Sequence, residues 1–110
     1  MKFAIPTLNG QLTAHFGHCE KFAVVETDGK SVLNQELVNP PVHQPGVYPA
    51  FLAGLGVNVI IAGGMGQKAQ DLFRQNNIEV CVGVNPGEPA DLVKEYLESK
   101  LVTGQNLCDH

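Results

Sequence analysis

The chain has 110 residues, of which 44% are hydrophobic and 16% are charged, and its formal net charge at pH 7 is -4. This length and apolar content predict one domain with one modest hydrophobic core. The acidic balance argues against a nucleic-acid partner, because phosphate binding needs clustered Lys and Arg. The start, MKFAIPTLNGQL, is interrupted by Pro6 and too short in apolar residues for a signal peptide or membrane span, so a cytoplasmic location is expected.

Short apolar runs predict three strands in the first part of the chain. Lys2–Pro6 and Lys21–Glu26 are the first two, with a long loop, residues 7–20, between them. An Asp28-Gly29 turn then leads into the third strand, Ser31–Val38. These strands are expected to form an antiparallel meander.

Helices and strands alternate in the second part. A β-branched run is typical of a strand that helices bury on both faces, and helical periodicity marks the segments around it. The predicted elements are a helix over Tyr48–Gly54, a strand over Asn58–Ala62, a helix over Gln67–Gln75, a strand over Ile78–Val82 and a helix over Pro89–Ser99. A flexible C-terminal tail is predicted from about residue 100.

The order βββαβαβα predicts a single α/β domain, residues 1–110, with a mixed five-stranded sheet flanked by helices. Right-handed crossovers make strands four and five parallel to strand one. Four loops then share the carboxyl-end edge of the sheet, where open α/β sheets bind ligands. They are residues 7–20, 39–47, 63–66 and 83–88.

Histidine and cysteine cluster in the first two of these loops. The segment His-Phe-Gly-His-Cys holds His15, His18 and Cys19, and His43 lies in the second loop. Imidazole and thiolate suit Zn, Cu, Fe and iron–sulfur species. A structural zinc site usually has two compact sets of ligands, and only one such set is present here. The spacing therefore also fits histidines that are solvated and bind no metal.

The segment Gly63-Gly64-Met65-Gly66 is predicted to join a buried strand to a helix N-terminus. Its N–H groups and the helix dipole would favour an anion close to the glycines. The Walker lysine and the GxGxxG pattern are missing, so nucleotide binding has little support. A tight strand-to-helix turn would explain about two of the three glycines, and Met is more often a packing residue than a ligand, which applies to Met65.

The remaining cysteines differ in their expected roles. Cys19, Cys81 and Cys108 are odd in number and widely spaced, which predicts a reduced compartment rather than a disulfide framework. Cys81 is predicted to be a small buried hydrophobe inside a strand. Cys108 and His110 could supply a thiolate and an imidazole, since about ten extended residues reach roughly 33 Å. A site joined to the loops, a separate site and a site shared between subunits all stay open.

Three segments together resemble the dinitrogenase iron–molybdenum cofactor biosynthesis family of NifX-like cluster-binding domains. They are HFGHCEKFAVVE, VIIAGGMGQKA and the ending GQNLCDH, which cover nearly the whole chain in order. The resemblance implies a ribonuclease H-like fold and the carriage of a molybdenum- or iron-containing sulfide cluster, with no established turnover. Molybdenum–copper clusters, iron–sulfur clusters and single metal ions are the open alternatives for the cargo.

Matched residue by residue, the resemblance points to one set of cluster-binding positions. They are His15, Phe16, Gly17, His18, Cys19, Gly63, Gly64, Gly66, Cys108 and His110. The chain lacks the radical enzyme that is fused to some relatives, so it is not expected to assemble a cluster itself. Several relatives lack the cysteine that stands here as Cys19, which leaves the metal and its coordination open. The expected partners are cluster-assembly or recipient proteins, and the expected state is a monomer or weak homo-oligomer.

Two enzymatic alternatives are weaker. A two-metal nuclease needs clustered carboxylates on central strands. The predicted strands KFAIP, NVIIA and IEVCV contain one acidic residue between them, Glu79. A Cys19 nucleophile activated by His15 or His18 is chemically feasible, but no substrate pocket is recognisable for it. The sequence therefore predicts a carrier and not an enzyme, and the main alternative is a regulatory or protein-interaction module with incidental metal binding.

Overall fold

The computed structural model describes residues 1–13, 20–41, 46–101 and 103–104. The elements in chain order are β1 (Lys2–Leu8), β2 (Gln11–Leu12), β3 (Lys21–Thr27), β4 (Val32–Val38), α1 (Val47–Gly54), β5 (Val59–Ile61), α2 (Gln67–Gln75), β6 (Glu79–Cys81) and α3 (Pro89–Leu97). In these parts of the chain, no helix has the length and apolar character to cross a membrane.

The strands form one mixed sheet in the order β4-β3-β1-β5-β6, with β2 added to β1. β1 is parallel to β5, which is parallel to β6, while β3 is antiparallel to both β1 and β4. The predicted α/β class and strand directions are therefore confirmed. The predicted count of five strands is wrong, because the described sheet has six. The ribonuclease H-like classification stays a prediction.

The sixth strand comes from a hairpin inside the predicted first loop. Asn9 and Gly10 have φ angles of 56° and 82°, the left-handed pair that a type I′ turn requires. The turn places Leu12 opposite Thr7 and Gln11 opposite Leu8. An Asn-Gly pair is a strong hairpin signal, but only two residues of β2 pair afterwards, too few to give an alternating pattern in the sequence.

The sheet is covered on both faces. α1 and α2 pack on one face, where the ring centroids of Phe22 and Tyr48 lie 5.1 Å apart, edge to face. α3 packs on the other face, where Phe3 and Tyr96 make a similar contact at 5.0 Å. The central strand β1 is consequently buried from both sides, which explains its continuous apolar run.

The helix boundaries follow their sequence signals closely. α1 begins one residue before the predicted start at Tyr48 and ends at Gly54 as expected. α3 begins at Pro89, which suits a first turn because an N–H at that position would have no partner within the helix. Asp91 in the same turn complements the helix dipole. It ends at Leu97 rather than Ser99, because Ser99 adopts a left-handed φ of 59°.

Alanine at Gly10 tests the hairpin turn. We expect Gly10→Ala to lower the free energy of unfolding by about 1–2 kcal/mol, since a Cβ is disfavoured in the left-handed region. Gly54→Ala is the matched control, because Gly54 is helical and has open space around it. It should stabilise the protein by up to about 1 kcal/mol. Urea unfolding of both variants measures the difference, and equal effects would contradict the turn assignment.

Candidate functional site

The carboxyl-end edge of the sheet brings the chemically interesting segments together. β1, β4, β5 and β6 all point toward it, as their pairing directions require. The described residues at this edge include Gly63–Gly66 after β5 and residues 83–88 after β6. The hairpin is tied to the second of these segments, because the Leu12 N–H donates to the Gly87 carbonyl at 3.0 Å.

The histidine-rich segment is anchored to β1 at both ends. The Thr13 N–H donates to the Pro6 carbonyl at 3.0 Å, and the Glu20 N–H donates to the Thr7 carbonyl at 2.7 Å. The Thr7 hydroxyl adds a 2.9 Å hydrogen bond to the Lys21 carbonyl. Residues 14–19, which carry the HFGHC motif, therefore leave and re-enter the described structure at the carboxyl end of β1. β5, which leads into the glycine loop, is the neighbour of β1.

The glycine loop, residues 63–66, is buried at its start and exposed at its end. Gly63, Gly64 and Met65 are buried, whereas Gly66 is exposed. Met65 is only 1% exposed and belongs to the core cluster on the α1 and α2 face. Its burial favours the packing role over a direct contact with a ligand.

Gln70 of α2 holds this loop in place. Its side-chain amide donates to the Met65 carbonyl at 2.9 Å, in a buried position. Arg74 donates in turn to Gln70 Oε1 at 3.4 Å. A buried carbonyl that loses its partner is costly, so this contact fixes the direction of the backbone through Met65.

The N-terminus of α2 offers an electropositive surface. Gly66 is its N-cap in an extended conformation, and no side-chain hydrogen bond caps the helix within the part described. The first turn contains no acidic residue, and Lys68 adds a positive charge there. A Cβ built on Gly66 would meet no described atom within 4 Å. Such a helix end favours an anion.

The start of the C-terminal segment lies at the same edge. The Gly104 N–H donates to the Val82 carbonyl at 3.3 Å, and Leu101 packs against the core cluster on the α3 face. Gly83 permits this approach, because its φ is 74° and a Cβ there would overlap the Gly104 backbone. Part of the predicted tail, which was expected to be flexible from about residue 100, is thus held against β6.

The glycine loop and the C-terminal segment are connected through one residue. The Gly83 N–H donates to the Gly63 carbonyl at 3.0 Å, while Gly83 itself contacts Gly104. Three backbone segments with glycine at the contact positions therefore lie side by side. The C-terminal segment reaches the carboxyl-end edge by Gly104, so it need not climb a strand beyond that residue.

Cys81 differs from its prediction as a buried hydrophobe. It is partly exposed at the end of the edge strand β6, and its thiol lies 3.7 Å from Glu79 Oε2. The Tyr96 hydroxyl donates to the same oxygen at 2.7 Å. Burial, and then the Glu79 carboxylate, raise the pKa of the Cys81 thiol to about 11. The same causes raise the pKa of Tyr96 to about 12.

The raised pKa has a consequence for ligand binding at Cys81. A thiol of this pKa is protonated at neutral pH, whereas the thiolate is the form that binds metals. Cys81 therefore stays outside the candidate site, as the sequence predicted, and the physical reasons are partial burial together with the nearby Glu79 carboxylate.

Most predicted ligands lie outside the described residues. These are His15, Phe16, Gly17, His18, Cys19, His43, Cys108 and His110. Among the described residues, no group of three or more His, Cys, Asp or Glu side chains could hold a metal ion. The structure thus describes the glycine loop and the attachment points of the ligand-bearing segments.

Sequence reasoning missed three residues that build the site. Gln70 lies within the helical segment that follows the glycine loop, and its polarity next to the apolar stripe was the available signal. Gly83 directly follows a strand, a position where glycine often permits close backbone approach. Gly104 begins the GQNLCDH segment, but nothing in the local sequence indicates its contact, because its partner in the structure is distant in sequence.

Known proteins are similar to this chain over most of its length. A family model described as dinitrogenase iron-molybdenum cofactor matches residues 1–99. The uncharacterized protein MJ0580 of Methanocaldococcus jannaschii is 38% identical over 106 residues, which cover 92% of this chain and 89% of that protein.

Solved structures share the fold. The crystal structure of PH0822 has a TM-score of 0.88 and 28% identity, and the match covers 100% of both chains. The apo form of the orange protein from Desulfovibrio gigas has a TM-score of 0.75 and 22% identity, covering 96% of this chain and 93% of that one. At 22% identity, the similarity to the orange protein shows a shared fold and no more.

Leucine at Gln70 tests whether its amide supports the glycine loop. We expect Gln70→Leu to lower the free energy of unfolding by about 1–3 kcal/mol, because the buried Met65 carbonyl loses its donor. Gln67→Leu is the matched control, since Gln67 makes only an exposed hydrogen bond to Asp71 one helical turn away. It should change stability by less than about 0.5 kcal/mol. Urea unfolding gives both values, and amide exchange at residues 64–67 should accelerate only in Gln70→Leu.

Alkaline unfolding tests the environment of Cys81. Its pKa is about 11 in the folded protein against an ordinary value of 9.0, so the folded state retains a proton that the unfolded state loses. The contribution of Cys81 to stability is therefore full below pH 9.0 and falls as pH rises toward about 11. Urea unfolding across this range should show a shallower decline in Cys81→Ala than in the unsubstituted protein. Parallel declines would contradict the raised pKa.

Proposed function

Because the chain belongs to the dinitrogenase iron-molybdenum cofactor family, we propose that it carries an iron- or molybdenum-containing sulfide cluster during metallocofactor assembly or trafficking. The cluster is cargo in this proposal and is not chemically transformed. The protein is accordingly a binding protein of the cytoplasm rather than an enzyme, and its partners are proteins that assemble or receive the cluster.

One observation carries the proposal, namely that the described parts of the three segments bearing the family resemblance reach one edge of the sheet. The ends of the HFGHC segment are attached to β1 at Pro6 and Thr7. The glycine loop follows the adjacent strand β5, and the C-terminal segment contacts Gly83, which bonds to Gly63. Three segments far apart in the sequence can therefore contribute to one site.

The glycine loop fits the outer surface of an anionic cluster. Sulfide clusters are large and negatively charged, and they are stabilised by N–H donors around their sulfur atoms. The uncapped N-terminus of α2 supplies such donors, and Lys68 supplies a positive charge beside them. The open space over Gly66 would let a bulky anion approach the backbone.

His15, His18 and Cys19 are the proposed ligands or hydrogen-bond donors from the first loop, with Phe16 and Gly17 shaping that loop and His43 contributing from the second. Imidazole and thiolate match iron, copper and molybdenum–sulfide species in softness. These assignments rest on the attachment points of the segment and on the family motif.

Cys108 and His110 are proposed to complete the site from the C-terminal segment. Residues 105–110 follow Gly104, which already lies at the carboxyl-end edge. Six extended residues span roughly 20 Å, about the length of a strand. Gly63 is separated from Gly104 only by Gly83, so the distance to be covered is well within this reach.

Metal uptake by the anaerobically purified protein tests the proposal. We expect charge-transfer bands and stoichiometric metal after addition of sulfide with molybdate, iron or copper. A His15→Ala/Cys19→Ala double variant should lose both signals while its circular dichroism stays unchanged. A colourless protein that takes up no metal under any of these conditions would contradict the carrier role and favour the regulatory or protein-interaction module.

Alanine at Gly66 tests the part played by the glycine loop. The φ and ψ angles of Gly66, -62° and 154°, are open to alanine, and the added methyl group clashes with no described atom. The methyl group would occupy the space proposed for the cluster, so cluster affinity should fall at least about tenfold, or 1.4 kcal/mol. Gly54→Ala, on α1, is the matched control and should bind normally. Equal affinities in the two variants would remove the glycine loop from the site.

A further inference from the structure

The two edges of the sheet differ in how they are protected. At the β6 edge, the C-terminal segment covers the end of the strand through the Gly104 hydrogen bond to Val82. At the opposite edge, β4 pairs with β3 on one side and is open on the other within the described structure. An open edge presents unpaired N–H and C=O groups that can template another strand.

Apart from a bulge near its start, β4 lacks the usual features that prevent edge pairing. It is seven residues long, with no proline and no lysine, and Glu36 is its only charged residue. Leu33 and Leu37 are 61% and 51% exposed, more than any other Leu, Ile or Val side chain in the described structure. Natural edge strands are normally short, charged or interrupted by proline.

A bulge modifies only one end of the strand. The register between β3 and β4 shifts between Glu26 and Thr27, opposite Asn34 and Val32. From Asn34 to Val38 the pairing is regular, and Leu37 lies opposite Ala23 on the α3 face of the sheet. Leu33 is the extra residue of this bulge, and the open edge is a regular ladder from Asn34 to Val38.

The sequence of β4 is self-complementary in one antiparallel register. In a strand, the N–H and C=O groups of successive residues point alternately to its two sides. Residues directly opposite each other in an antiparallel pair must both point toward the partner or both point away. The two-fold axis of a symmetric pair therefore passes through a single residue position. Centring on Gln35 sets Leu33 against Leu37 of the second copy and Asn34 against its Glu36. The two exposed leucines cover each other twice, and each carboxylate faces an amide that can donate to it.

The neighbouring registers are worse. Centring on Glu36 would oppose two carboxylates directly, which is destabilising. Centring on Asn34 would place Leu33 against Gln35 and leave Leu37 beyond the partner's strand. Charge and apolar contact thus select the same register, in which Val32–Val38 lies beside itself with the bulge at Leu33 opposite Leu37 of the second copy.

We propose that β4 is the contact surface of a symmetric homodimer, in which it pairs antiparallel with β4 of a second copy around Gln35. The two six-stranded sheets then form one continuous sheet. β4 and β5 are separated by β3 and β1, so the glycine loops of both copies stay uncovered.

The dimer should be weak. Pairing of one strand falls below the roughly 1,200 Å² of buried surface typical of stable interfaces. Each copy also carries a formal charge of -4, which opposes association at low salt. We expect a dissociation constant between tens of micromolar and about 1 mM, tightening as salt is raised.

Sedimentation equilibrium from about 10 μM to 1 mM measures the association directly. The full chain should shift from monomer to dimer over this range, and Leu33→Lys should raise the dissociation constant at least about tenfold. Leu8→Lys is the matched control, because Leu8 is 46% exposed but lies on β1. A chain that stays monomeric up to the highest concentration would overturn the proposal, as would equal effects of the two lysine substitutions.

Charge pairing tests the register. Leu33→Lys/Leu37→Lys and Leu33→Glu/Leu37→Glu should each be monomeric alone, because like charges then oppose each other, and should form a dimer when mixed. Leu33→Lys/Leu37→Glu should dimerise by itself, since position 33 faces position 37. Failure of the mixture to associate would overturn the β4 pairing. Metal uptake should be unchanged in all these variants, which separates this test from that of the carrier role.

Discussion

The position of β1 between an antiparallel and a parallel neighbour is the constraint on which the rest of the structure depends. β3 returns beside β1 through the long first connection, and β5 arrives on the other side by a crossover through α1. Because β5 and β6 then run parallel to β1, the connections that follow the carboxyl ends of these three strands open at the same edge. The apolar residues of β1, buried on both faces, hold this arrangement in place.

Backbone contacts rather than side chains assemble the described part of the site. Gly63, Gly83 and Gly104 lie side by side through hydrogen bonds and one contact that leaves no space for a Cβ. Gln70 completes the arrangement by fixing the Met65 carbonyl from within α2. The N-terminus of α2 follows the glycine loop without a side-chain cap in the part described, and such a helix end favours an anion.

The environment of Cys81 shows how a neighbour decides the role of a reactive side chain. Glu79 accepts a hydrogen bond from Tyr96 and lies close to the thiol, so that both acidic groups retain their protons above their ordinary pKa values. The sequence alone suggested an inert cysteine because of its apolar neighbours. The structure retains that conclusion but attributes it to desolvation together with a nearby carboxylate.

The sequence by itself determined the α/β class, the directions of the five longer strands and the edge at which the loops meet. These follow from local apolar periodicity and from the handedness of crossover connections, which need no long-range information. It also singled out the glycine loop between β5 and α2. The two-residue strand β2 escaped it, because a pairing that short leaves no alternation to detect.

Only the tertiary structure decided which distant residues touch. Gly104 meets Gly83 and Leu12 meets Gly87, and neither contact has a periodic signal in the sequence. The exposed edge of β4 is likewise a tertiary property, since strand order depends on which partners remain after the other strands have paired. Local sequence patterns determine the strands and helices. Which of their ends and edges lie close together depends on how the strands and helices pack around the hydrophobic core.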